Sequence, residues 1–251
     1  MVQAINDSAY VVPQIDSEDF SSERWLLYFQ QNKENRVALR FQSAVAVPAV
    51  LRPPLIRSLQ RFQIGETGEG KFLRRFAKRT GDEHYEQCID LFIKEEQSHA
   101  RMLAEVIAVL DGTLLSWHWS DAAFIVLRRM LGLKTELFIL LIAEIVGKCF
   151  YSQVARHIGD RRLCDAFSLM VLDEVAHLEF HCDFLRTRLQ NIPAPGRALI
   201  CWLWSVLFYA AALVFVLDHG ETLIALHSSK QEFLAECTRT FQRATRRCLG
   251  F

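Results

Sequence analysis

The chain of 251 residues has little of what interrupts regular structure, with six prolines and eleven glycines. Collagen-like and low-complexity architectures are excluded on that count. It also lacks net charge, since Lys plus Arg and Asp plus Glu both total 29. Neither a basic surface for nucleic acid nor an acidic solvating tail is indicated, and no nucleic-acid partner is expected. Paired cysteine motifs are missing. The seven cysteines, at 88, 149, 164, 182, 201, 237 and 248, are odd in number and include no Cys-x-x-Cys. This disfavours a disulfide framework and a thiolate zinc site. Met1 to Ser17 is polar and lacks the apolar core of a secretory leader. A reducing, cytoplasmic location is therefore expected. Sustained period-two alternation with hairpin turns is absent too, so strands are not expected.

What remains is apolar and reads as helix throughout. Apolar residues make up 51% of the chain, at the upper edge for a soluble domain, so a large core, a sizeable apolar interface or a membrane contact is implied. Residues 1–53 form a polar leader and a short helix, which Ser21 or Ser22 caps ahead of Trp25, Leu26, Leu27 and Phe29. Pro48, Pro53 and Pro54 break the chain, and Pro54 suits a first helical turn. From there Leu59, Phe62, Glu66, Glu69, Leu73 and Phe76 step by three or four, which predicts one helix to about Arg79. A second helix runs from about Glu83 to Leu110, and a connection follows over 111–120. A third begins at Asp121, is interrupted near Gly132 and resumes to about His157. A fourth extends from Asp160 to about Leu189, where Pro193 and Pro195 end it. Residues 54–190 are read as a four-helix bundle, and 191–251 as an apolar helix plus an amphipathic one (Gln231 to Leu249) packed on it. The fold class is all-α.

Two Glu-x-x-His motifs occur, Glu96–His99 and Glu174–His177. One alone would mean little, but these two sit inside an internal repeat. A shift of 78 residues carries Glu66 onto Glu144, Gly81–Asp82 onto Gly159–Asp160, Glu95 onto Asp173, Glu96 onto Glu174 and His99 onto His177. Each half is then a helical hairpin. One arm bears a lone Glu and the other, 30 residues on, bears Glu-x-x-His. Residues i and i+3 share a helix face, so two packed hairpins direct four carboxylates and two imidazoles inward. Such groups cannot stay unpaired in an apolar interior. A pair of divalent cations with hard oxygen and imidazole donors resolves the conflict.

On these residues the chain resembles the ferritin-like di-iron carboxylate superfamily. The resemblance covers about residues 54–190. It implies two iron ions per chain, with manganese admitted by the same donors. Glu96 and Glu174 would face both metals, Glu66 and Glu144 would be terminal ligands, and His99 and His177 would bind one metal each. Oxygen-activating relatives, such as the ribonucleotide reductase small subunit and bacterial multicomponent monooxygenases, often place an acid just before the motif Glu to bond a ligand histidine. Glu95 and Asp173 occupy those places. The reductase's radical tyrosine has no counterpart here, because Leu103 fills that position. Tyr151, two turns after Glu144, is the nearest phenol by spacing. Glu69 rivals Glu66 as the first ligand, but the repeat pairs it with Gly147. His181, one turn after His177, fits a seventh ligand, a proton relay or a satisfied core histidine.

Two apolar stretches complete the reading. Leu137–Val146 suits a ligand helix in a bundle core and would wall the site with hydrocarbon. Leu199–Leu217 is uncharged over 19 residues and long enough to cross a membrane. A buried helix, a homodimer interface through 199–217 and a membrane contact all stay open. The expected function is a di-iron oxygenase or oxidase that activates dioxygen on an apolar small molecule. Its electrons would come from an external ferredoxin or reductase. Bacterioferritin-like iron oxidation and storage, and a membrane-associated quinone-linked hydroxylase, are the alternatives.

Overall fold

A computed structural model of the chain describes residues 20–36, 41, 45–118 and 133–250. The leader up to residue 19 and the helix expected over 121–132 lie outside the described residues. Among those described there are eight α-helices and no strand.

Helix α1 (Ser22–Asn35) starts where the Ser21 hydroxyl accepts the Arg24 N–H, and it buries Trp25, Leu26, Phe29 and, unexpectedly, Asn32. Helix α2 (Arg52–Glu66) opens on the two prolines in its first turn. The single helix expected from about Pro54 to Arg79 is instead broken after Glu66, and α3 (Lys71–Lys78) begins separately. Glycines cause the break. Gly70 takes φ 61°, and a Cβ there would lie 2.3 Å from Ile93 Cδ1, so only glycine lets the chain turn this close to the next helix.

Helices α4 (Glu83–Val109), α5 (Leu133–His157) and α6 (Arg161–Leu189) follow. The two turns aligned by the repeat share one conformation. Gly81 and Gly159 take φ 70° and 79°. Asp82 then accepts the Tyr85 N–H, and Asp160 accepts those of Arg162 and Leu163. Helices α2 and α3 pack on α4, α5 packs on α6, and α6 also meets α4. Helix α1 lies along α4. Its Trp25 meets Phe180 of α6 edge-on at 5.5 Å.

Helix α7 (Ala194–Ala225) and α8 (Lys230–Leu249) form an outer layer. A reciprocal capping box between Ser229 and Glu232 starts α8. Helix α8 packs on α5, α6 and α7, while α7 also touches α2 and α5. Helices α5 and α7 are both long and apolar enough to cross a membrane, but 89% of the α5 window is buried against 28% of the α7 window. Leu137–Val146 is thus core, as expected. Leu199–Leu217 is not a fully buried helix: Trp204, Phe208 and Phe215 face inward, and the opposite side is open.

Candidate metal centre

The bundle brings the repeated residues together. Acidic and imidazole atoms of Glu96, Glu144, Glu174 and His177 lie within 4.8 Å of one another, as do those of Glu66, Glu96 and His99. Both imidazoles are fully buried. His99 Nδ1 is 3.4 Å from Glu174 Oε1 and 3.7 Å from Glu96 Oε1. His177 Nδ1 is 3.2 Å from Glu96, 3.4 Å from Glu144 and 3.7 Å from Glu174. Glu96 and Glu174 therefore reach both rings, and Glu144 reaches one.

The other nitrogen of each ring is held from across the bundle. His99 Nε2 pairs with Asp173 Oδ2 at 2.9 Å, and His177 Nε2 pairs with Glu95 Oε2 at 2.9 Å. The acid of each half thus serves the histidine of the other half. A carboxylate accepts only, so each Nε2 carries a proton directed at its acid, and each Nδ1 faces the cluster.

Electrostatics follow from this crowding. Burial and the neighbouring Glu96 push Glu66 well above the usual carboxylate range, and burial with Glu144 does the same to Glu174. Burial, followed by the Glu144 charge, raises Glu96. Burial works against Glu144 too, yet the adjacent Glu174 carboxyl and the His177 ring hold it down at about 2. Burial lowers His99, but its bond to Asp173 and the nearby Glu174 carboxylate lift it to about 9. Asp173 is penalised by burial and held at about 2 by His99.

The residues fit a cation. Glu96 Oε1, His99 Nδ1, Glu144 Oε2, Glu174 Oε2 and His177 Nδ1 are buried and have no hydrogen-bond partner. These five atoms all lie in the ring-and-carboxylate cluster just described. Oxygen and imidazole donors without thiolate suit divalent iron or manganese. The cluster could hold a metal ion.

Tyr151 is buried, and its hydroxyl donates to Glu66 Oε1 at 2.8 Å. His181 is buried between the Phe92 and Phe180 rings, at 4.7 Å and 4.9 Å. Glu69 does not belong to the site. The glycine-rich break carries it outward, and it is 68% exposed and ion-paired with Lys71. The helix break, by contrast, leaves Glu66 in place as the last residue of α2.

Sequence reasoning missed two residues. Asn32 of α1 donates to both Glu95 Oε1 (2.7 Å) and Asp173 Oδ1 (3.0 Å). Arg36, just past α1, bonds Asp173 at 2.6 Å and lies 3.6 Å from Glu95. One signal pointed to them. Positions 25, 29, 32 and 36 continue a single helical face, so the polar pair extends a buried apolar stripe.

No protein-family model, curated protein or solved structure matches the chain. The fold and the cluster define an all-helical protein with a buried carboxylate–histidine site able to hold metal.

Proposed function

We propose that the chain is a ferritin-like di-iron carboxylate oxidoreductase that activates dioxygen to oxidise an apolar organic molecule. The observation that carries this reading is the set of five orphaned buried donor atoms, supplied by the repeated Glu and Glu-x-x-His positions. Glu66 and His99 would hold one ion, Glu144 and His177 the other, and Glu96 and Glu174 both. When bound, the iron pair supplies electrons for reducing dioxygen and the oxidising power that follows.

The protein's own residues do the rest. Asp173 and Glu95 fix the tautomer and orientation of the two rings, and Asn32 with Arg36 fixes the acids. Tyr151 orients Glu66 and holds a proton beside it. Phe92 closes over His177 and His181 at 4.7 Å from each ring, and Leu137, Leu141 and Ile145 are fully buried around Glu144. These apolar walls line the Glu144–His177 side of the site and favour a hydrocarbon substrate over a polar one, which would need several convergent donors.

The test is elemental analysis after anaerobic reconstitution with ferrous iron. About two iron ions per chain are expected, and replacing Glu96 with Ala should remove most of that metal. A wild-type chain that retains none overturns the reading. Iron accumulating far beyond that ratio in a cage-sized particle would favour storage instead.

A further inference from the structure

Four of the seven cysteines meet along α8. Cys149 on α5, Cys182 on α6, and Cys237 and Cys248 on α8 are all buried. Cys237 and Cys248 are 11 residues apart, close to three helical turns, so they share one face of α8. Cys149 Sγ lies 3.7 Å from Thr240 Oγ1, and Thr240 is one turn beyond Cys237 on that face. The preceding residues of the two helices also meet, Lys148 Nζ with Glu236 Oε1 at 3.1 Å. Cys182 Sγ reaches the Ala244 carbonyl at 3.8 Å, one turn before Cys248. The next residue, Asp183, holds Arg247 at 2.7 Å. Each α8 thiol is therefore set against a thiol of a helix that carries cluster carboxylates.

The two pairs differ in chemistry. The Cys182 S–H donates to a carbonyl, which keeps its proton on sulfur. Cys149 faces a hydroxyl instead, whose hydrogen can turn from the Glu236 carbonyl to a sulfur anion. The Cys237 thiol, helped by the Lys148 ammonium, holds Cys149 below the ordinary thiol range against burial. Cys149 and burial in turn push Cys237 up. The thiolate is the nucleophile, so Cys149 is suited to attack and Cys237 to keep its proton until it resolves.

We propose that Cys149 and Cys237 form a redox-responsive site, which hydrogen peroxide closes into a disulfide tying α8 to α5. The Cys149 thiolate attacks one peroxide oxygen and breaks the O–O bond. This gives a sulfenic acid and a hydroxide, which takes up the proton released when the thiolate formed. The Cys237 sulfur then attacks the Cys149 sulfur, and its proton leaves with the sulfenic hydroxyl as water. Two thiols lose two electrons, and one peroxide becomes two waters. Both cysteines are fully buried, but α8 lies in the outer layer, where local opening admits so small an oxidant. The bond fastens α8 to the helix that carries Glu144. The site stands independently of what the metal centre does.

The test treats the full chain, held in chelator, with hydrogen peroxide. Remaining thiols are then alkylated and the peptides mapped by mass spectrometry. A Cys149–Cys237 crosslink is expected, with both thiols lost from the alkylated set and regained in dithiothreitol. Thermal melting should rise by about 5 °C or more and fall back on reduction. Cys237→Ser should stop the reaction at a Cys149 sulfenic acid, which dimedone traps. Cys182→Ser should leave the crosslink intact. Circular dichroism identifies variants that keep the fold, and the wild-type peptide map decides the matter without them. A crosslink at Cys182–Cys248 ahead of Cys149–Cys237 overturns the proposal. So does oxidation confined to the less buried Cys164 and Cys201, or no oxidation at all.

Discussion

At the residue scale the crossed pairing is the central device. Each imidazole is anchored by an acid from the other half, and one Asn and one Arg hold both acids. Arg36→Ala removes a charge from two buried carboxylates together, while leaving every proposed ligand in place. Metal affinity, read by competition with a chromophoric chelator, should drop about 10- to 100-fold. An unchanged affinity would show that α1 is only packing. The same pair sets a pH signature for the metal-free protein. His99 is raised from its ordinary 6.5 to about 9, so its stabilisation is complete below 6.5 and is lost as pH climbs through about 9. Asp173 is depressed from 3.8 to about 2, so its share is present above 3.8 and lost as pH falls through about 2. Calorimetry in chelator should show melting decline between pH 6.5 and 9. Metal-loaded protein, which needs His99 neutral, should not share that decline.

At the element scale the break between α2 and α3 decides which glutamate serves. Gly70→Ala imposes a left-handed residue with a Cβ driven into Ile93, and should cost about 3 kcal/mol in urea unfolding. Gly81→Ala imposes a similar φ into open space and should cost about 1 kcal/mol. Equal losses would mean that the contact with α4 does not matter. Much of the element structure was legible in advance. The caps at Ser21, Asp82 and Asp160 and the left-handed glycines at 81 and 159 are local chemistry, visible in adjacent residues. The cluster was legible because spacings of 3, 30 and 78 residues encode one face, one height and one repeat. The α2 break is not legible in the pattern, because the apolar periodicity runs through it and hides Gly65, Gly68 and Gly70. Asn32 escaped because its partners are 63 and 141 residues away, a pairing that no local pattern carries. Hydropathy alone could not choose a burial state for α7, since a helix open on one side and a helix in a core have similar composition.

For the whole molecule, the outer layer of α7 and α8 covers α5 and turns the open side of α7 away from the core. The four carboxylates come from α2, α4, α5 and α6, so the cluster closes only when both halves are docked. Helix α8 adds a further tie: its Glu236 takes Lys148, Gln153 and Arg156, all from α5, and Arg247 grips Asp183 of α6 at 2.7 Å. The two helices bearing Glu144, Glu174 and His177 are thus braced by α8, while α7 ties the body of α2 through Arg61–Asp218 at 2.9 Å and Ser58–Thr222 at 2.7 Å, short of its last turn.

The position of each lone glutamate within its helix makes the repeat mechanically lopsided. Glu144 sits within an unbroken 25-residue helix, whereas Glu66 is the final residue of α2, next to four residues without helical support. One half of the centre is rigid and the other can yield. Two ions, if held as proposed, should therefore leave at different speeds. A chelator chase of the loaded protein should be biphasic, the faster ion departing from the Glu66–His99 side. Gly68→Ala, which stiffens the connection in a place where a Cβ finds room, should slow that phase alone. A single exponential would mean that the two halves, for all their difference in support, release their ions as one.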